Sequence, residues 1–93
     1  MIKVIVRKNG IEIQGHANYG ARGNDIVCAA ASGIIQTAVL GMMKHMPNVQ
    51  IAKNDGYIKI NDNSHIIIDT MMMGLKDLEI QFPKHIQIKE ERT

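Results

Sequence analysis

Disulfides, tryptophan and dense charge are what this sequence does without. Its 93 residues hold one cysteine, no tryptophan, two tyrosines and one phenylalanine. A single cysteine closes no internal disulfide, which excludes a disulfide-stapled scaffold. Within one chain it also excludes Cys₄ and Cys₂His₂ zinc sites. Eleven basic residues stand against nine acidic ones, a formal charge of +2. No basic block is longer than Arg7-Lys8, whereas a nucleic-acid footprint needs a denser patch, so no direct nucleic-acid binding is expected. No N-terminal apolar segment leads to a small-residue cleavage site, so no secretion signal is expected. The most apolar run, from Ile26 to Met43, approaches membrane-spanning length. It carries Ser32, Gln36, Thr37 and two glycines, and polar segments flank it, so it reads as a buried helix. The expectation is one soluble domain over residues 1–93, in a reducing and hence cytoplasmic compartment. A chain of this size buries roughly 60–70% of its unfolded surface, enough for one modest core.

Hydropathy alternates from the first residues. Ile2, Val4 and Val6 alternate with Lys3 and Arg7, Asn9-Gly10 supplies a type I′ turn, and Ile11 and Ile13 return. That turn pairs Arg7 with Glu12, Val6 with Ile13 and Lys3 with His16, and places His16 at a strand end on the less apolar face. Residues 15–24 carry three glycines without hydrophobic period and read as a flexible loop. Asn24 or Asp25 then caps a helix running to about Lys44, closed by Pro47. Its small, uncharged side chains predict packing on more than one side. Val49, Ile51 and Ala52 lead through Asn54-Asp55-Gly56 to a second hairpin arm, Tyr57 to Ile60. Asn61-Asp62-Asn63-Ser64 supplies a turn and cap for a second helix of about 15 residues. Ile68, Met71, Met72, Leu75 and Leu78 form its buried stripe, although the Ile66-Ile67-Ile68 triplet suits a strand as well. Pro83 ends that element, Ile86 and Ile88 alternate in a short last strand, and Lys89 to Arg92 form a solvated tail. The order ββαββα(β) predicts an α/β protein of the α+β kind: a mixed, largely antiparallel sheet with two helices packed on it. Seven methionines beside three aromatics suit a core filled by flexible thioethers.

Cys28 falls in the first turn of the first helix, where unsatisfied N–H groups and the positive dipole end favour a thiolate. The same N–H groups are candidate donors to an oxyanion. His16, twelve residues upstream, is the nearest proton acceptor in sequence, and a Cys–His pair is the minimal machinery for acyl transfer. Spacing alone leaves the alternative open, since a lone cysteine in an alanine-rich helix also reads as a small buried hydrophobe. His45 and His65 read as solvated or dipole-facing residues near helix ends, and His85 as a strand start. No metal-ligand spacing joins them to His16 and Cys28, and no cofactor is expected.

Gly15-His16-Ala17, then Gly20 and Gly23, then Asp25-Ile26-Val27-Cys28-Ala29-Ala30 with Ser32 together resemble the ribosomal-processing cysteine proteases of bacteria. Beyond about residue 40 the resemblance rests on hydrophobic pattern and on Phe82-Pro83. It implies a small cytoplasmic endopeptidase, homodimeric, that removes a short N-terminal extension from ribosomal protein number 27 of the large-subunit (L) series. It also implies Cys28 as nucleophile and His16 as general base and acid. Asp25 then caps the helix, orients His16, or does both, and Ser32 lines the site or bonds back to its own helix. Gly20 and Gly23 become hinges of a loop that opens for peptide, with Tyr19 and Arg22 as candidate substrate contacts. The alternative from another class is a non-catalytic ribosome-associated binding module with a structural cysteine.

Overall fold

The protein is described by a computed structural model over residues 1–17, 19–21 and 23–91. Strands β1 (Ile2–Arg7) and β2 (Gly10–Gln14) precede helix α1 (Ile26–His45). Strands β3 (Ile51–Asn54) and β4 (Tyr57–Ile60), helix α2 (Ile66–Gln81) and strand β5 (Ile86–Glu91) follow. One five-stranded sheet has the order β3-β4-β2-β1-β5. All its pairings are antiparallel except β1 with β5, which is parallel. This is the α+β architecture expected from the hydropathy pattern, with the last strand a full member of the sheet.

Ile2, Val4, Val6, Ile11, Ile13, Ile60 and Ile86 point to one buried side of the sheet. The stripe of α2 is the expected one, Ile68, Met71, Met72, Leu75 and Leu78, and the isoleucine triplet opens a helix rather than a strand. Helix α1 buries Val27, Ala31, Ile35, Ala38, Val39 and Met42. Its other face, with Ile26, Leu40 and Met43, is exposed. Packing on several sides is therefore not achieved within one chain, because one sheet and one neighbouring helix cover only a single stripe. By length and mean hydropathy (1.9 over its most apolar stretch) α1 is long and apolar enough to cross a membrane.

The first hairpin departs from its expected register. Arg7 pairs with Gly10, Val6 with Ile11 and Lys3 with Gln14, so the turn is Lys8-Asn9. Gly10 lies in the strand, at a position where a β-carbon would meet the Ile60 carbonyl oxygen at 2.4 Å. Its missing side chain serves close approach, not turn geometry. Moving the register by two residues keeps every side chain on its original face. The Arg7–Glu12 ion pair survives at 3.0 Å, and Arg7 also reaches Glu91 at 3.1 Å. The supposed tail thus pairs with β1 through Glu91, while Arg92 lies outside the described residues. Helix α2 is capped by His65, whose Nδ1 accepts the Ile67 N–H at 3.1 Å, rather than by Ser64.

Candidate active site

The strand period ends at Gly15, whose φ of 94° is open to glycine at little cost. The turned backbone carries His16 out of the β2 alternation. It lines a cleft together with Ile13 and Cys28, on the helix-covered side and not on the face that strict alternation gives it. His16 is exposed, as expected for a residue outside the core. The β3–β4 turn backs it: a β-carbon on Gly56, at φ 70°, would stand 3.1 Å from His16 Nε2. The Gly15 N–H donates to the Gly56 carbonyl at 2.9 Å and ties the two strand ends together.

Asp25 is the cap of α1. Its Oδ1 accepts the N–H groups of Val27 (3.0 Å) and Cys28 (2.9 Å), and its Oδ2 accepts that of Tyr19 (2.9 Å). The Cys28 N–H is the main cause that holds this carboxyl below the usual aspartate range; desolvation opposes it, and the Tyr19 and Gly20 N–H groups reinforce it. Among the described residues the carboxylate makes no bond to His16, so of the two roles considered for it, capping is the one formed. The Asp25 carbonyl accepts the Ala29 N–H at 3.0 Å. The N–H groups of residues 27, 28 and 29 are therefore all engaged. Three of the N–H groups expected as oxyanion donors at the helix start thus already have acceptors on the capping residue.

Cys28 is half-buried and receives a hydrogen bond from the glycine loop instead: the Ala17 N–H donates to Sγ at 3.1 Å. The loop is held at several points. Ala17 is buried, its carbonyl meets His85 Nδ1 at 2.9 Å, and the Tyr19 ring packs edge-on against Phe82 and His85. Arg22 lies outside the described residues. Ser32 is exposed one turn after Cys28, and the back-bond to a helix carbonyl considered for it is made by Thr37, to Gly33 at 2.8 Å.

Two cavities meet at the thiol. One, of about 400 Å³, is lined by His16, Gly20, Gly23, Asp25, Cys28, Ala29 and Ser32, so all six candidate residues from the sequence surround it. The other, of about 570 Å³, runs under the β3–β4 hairpin between Ile13, Ala31, Ile35, Tyr57 and Ile58, and shares His16, Cys28 and Ser32. Two adjoining cavities that share His16, Cys28 and Ser32 leave room on either side of the thiol for an extended chain. Sequence reasoning missed Ala17, Gly56 and His85. Ala17 adjoins His16 in the motif, but nothing local marks His85, which is 68 residues from its partner.

A small α+β sheet with a thiol and an imidazole lining two adjoining cavities is an architecture compatible with a thiol hydrolase. A model of the family described as cysteine protease Prp matches residues 1–87. The chain belongs to that family and is a cysteine protease. It is 31% identical over 85 residues to the ribosomal processing cysteine protease Prp of Staphylococcus aureus, spanning 82% of this chain and 80% of that one. With the protein of the same name from Mycoplasma genitalium it shares 31% identity over 100 residues, 98% of this chain and 97% of the other. The fold is similar to the crystal structure of the S. aureus protease with a covalently linked product peptide. The TM-score is 0.88 at 26% identity, over 98% of this chain and 100% of that chain. The S. aureus protease in complex with a substrate peptide gives 0.81 at 25% identity.

Proposed function

We propose that this protease matures a ribosomal protein by removing the N-terminal extension of ribosomal protein number 27 of the large-subunit (L) series, using a dyad of Cys28 and His16. The carrying observation is that His16 and Cys28 line the same two cavities, which leave room on either side of the thiol for the two halves of a cleaved peptide. Family membership supports the peptide bond as target, and the names of the S. aureus and M. genitalium relatives support a ribosomal precursor. The product peptide linked covalently in the S. aureus structure favours a covalent route.

His16 takes the thiol proton, and the Cys28 thiolate attacks the scissile carbonyl carbon. The new C–S bond forms as the C=O electron pair moves onto oxygen. Collapse breaks the C–N bond while His16 returns its proton to the leaving amine. Water, deprotonated by His16, then releases the acyl group from sulfur. Gly20 and Gly23 act as hinges of the loop over the smaller lobe; Gly23, at φ 93°, holds a conformation that side chains resist. The enzyme works in the cytoplasm as a homodimer, and the exposed apolar face of α1 favours that association.

Incubating the ribosomal precursor with wild type, Cys28→Ala and His16→Ala tests the assignment. Cys28→Ala is expected to abolish cleavage, and His16→Ala to slow it by about 10²–10⁴-fold, the range general acid–base groups supply. Cleavage retained by Cys28→Ala would sink the dyad. Cleavage of unrelated peptides but not of the precursor would sink the substrate.

A further inference from the structure

Capping by Asp25 leaves a problem for the reaction. Attack on a peptide carbonyl places negative charge on oxygen, and the three N–H groups nearest Cys28 on its own helix are engaged. One donor at the sulfur belongs to another segment. The Ala17 N–H sits 3.1 Å from Sγ. Its residue is fixed from both other directions: the methyl group is buried, and the carbonyl meets His85 Nδ1 at 2.9 Å. A carbonyl oxygen only accepts, so Nδ1 carries the hydrogen in that bond. The His85 backbone is itself anchored, since its carbonyl accepts the Ile2 N–H at 2.9 Å where β1 begins. Tyr19 closes the assembly by packing edge-on against the His85 ring at 5.1 Å.

We propose that the backbone N–H of Ala17 is the oxyanion donor of this protease, and that His85 is the positioning residue that aims it. Before attack the N–H stabilises the thiolate. Forming the C–S bond turns the sulfur into a thioether, a weak acceptor, while full charge appears on the oxygen of the adjoining carbon. The donor is then released at the place where a stronger acceptor has just formed. A clamped residue delivers it without reorganisation, which is the condition under which such donors act most strongly.

The proposal rests on Cys28 as nucleophile, and its test separates the two. The solitary cysteine allows assembly of the chain from a synthetic 1–27 thioester and a 28–93 segment joined at Cys28. Lactic acid in place of Ala17 then removes the one N–H and keeps the methyl group. Cleavage of a precursor-derived peptide is compared with alkylation by iodoacetamide, which displaces iodide at a saturated carbon and forms no oxyanion. The ester variant is expected to lose about 10²–10³ in kcat, as loss of an oxyanion donor does elsewhere, while alkylation slows far less. Equal losses in both reactions, or unchanged cleavage, overturn the oxyanion role. Cleavage surviving Cys28→Ala defeats the underlying dyad instead, a result the ester variant cannot mimic. His85→Ala is expected to lower kcat several-fold at nearly constant KM, and His85→Asn, with an amide donor near the Nδ1 position, to restore it. A His85→Ala enzyme with wild-type kcat, or an Asn variant no better than Ala, overturns the positioning role. That pair of variants also decides the proposal if the ester protein fails to fold, judged by circular dichroism.

Discussion

The carboxylate of Asp25 joins loop to helix by accepting N–H groups from Tyr19 on one side and from Val27 and Cys28 on the other. Asp25→Ala is expected to loosen both attachments, lowering thermal stability and slowing cleavage. Asp25→Asn, which keeps an oxygen acceptor, is expected to retain most of the stability. The direction with pH follows from the lowered Asp25 pKa. Stabilisation by the charged form is fully present above the ordinary aspartate value of about 3.9 and is lost as pH falls through the lower folded value. Denaturant titrations of wild type and Asp25→Asn between about pH 5 and the acid limit check this. The wild type should show the steeper acid loss, and parallel slopes would refute it. At this scale the sequence is legible where chemistry and local position coincide. A carboxylate before an apolar run announces a cap, and its neighbours in the chain become its partners. His85 announces nothing, because its partner is chosen by the sheet that brings β5 beside β1.

Elements were readable in proportion to how much their own periodicity decided them. The buried stripe of α2 follows from helical spacing alone. The hairpin register does not, because Asn9-Gly10 carries a turn signal while the close approach of a distant carbonyl, which leaves no room for a side chain, places the glycine in the strand. The His65 cap was hidden for another reason: the better-known capping residues Asp62 and Ser64 stand immediately before it, and Asp62 is occupied in accepting the Ser64 N–H at 3.0 Å. Helix α1 contains a glycine without a conformational need for one. A β-carbon on Gly41 would make ordinary contact with Ile67 at 3.6 Å. Gly41→Ala is therefore expected to stabilise the protein by about 0.5–1 kcal/mol through helix propensity. Thermal melts check it by a rise of a few degrees; an unchanged or lower Tm would mean that α1 and α2 cannot accept one more methyl group.

For the whole molecule, the core joins one side of the sheet to two helices, and Leu75 of α2 is fully buried within it. Leu75→Ala is expected to cost about 2–5 kcal/mol, a large part of the roughly 5–15 kcal/mol that holds a typical domain folded. Equilibrium unfolding in urea measures it. A loss below about 1 kcal/mol would show that the core collapses around the deletion. The sequence disclosed the layers, because two hairpins and two amphipathic helices have few ways to bury their apolar faces. It did not disclose the strand order, in which the last strand lies against the first. That parallel pairing has a bearing on the life of the chain during synthesis. His16 and Cys28 leave the ribosome before Phe82 and His85, which hold the loop between them and are made only after both helices. A polypeptide that has not yet reached Phe82 and His85 therefore holds both proposed dyad residues but lacks the contacts that fix the loop between them.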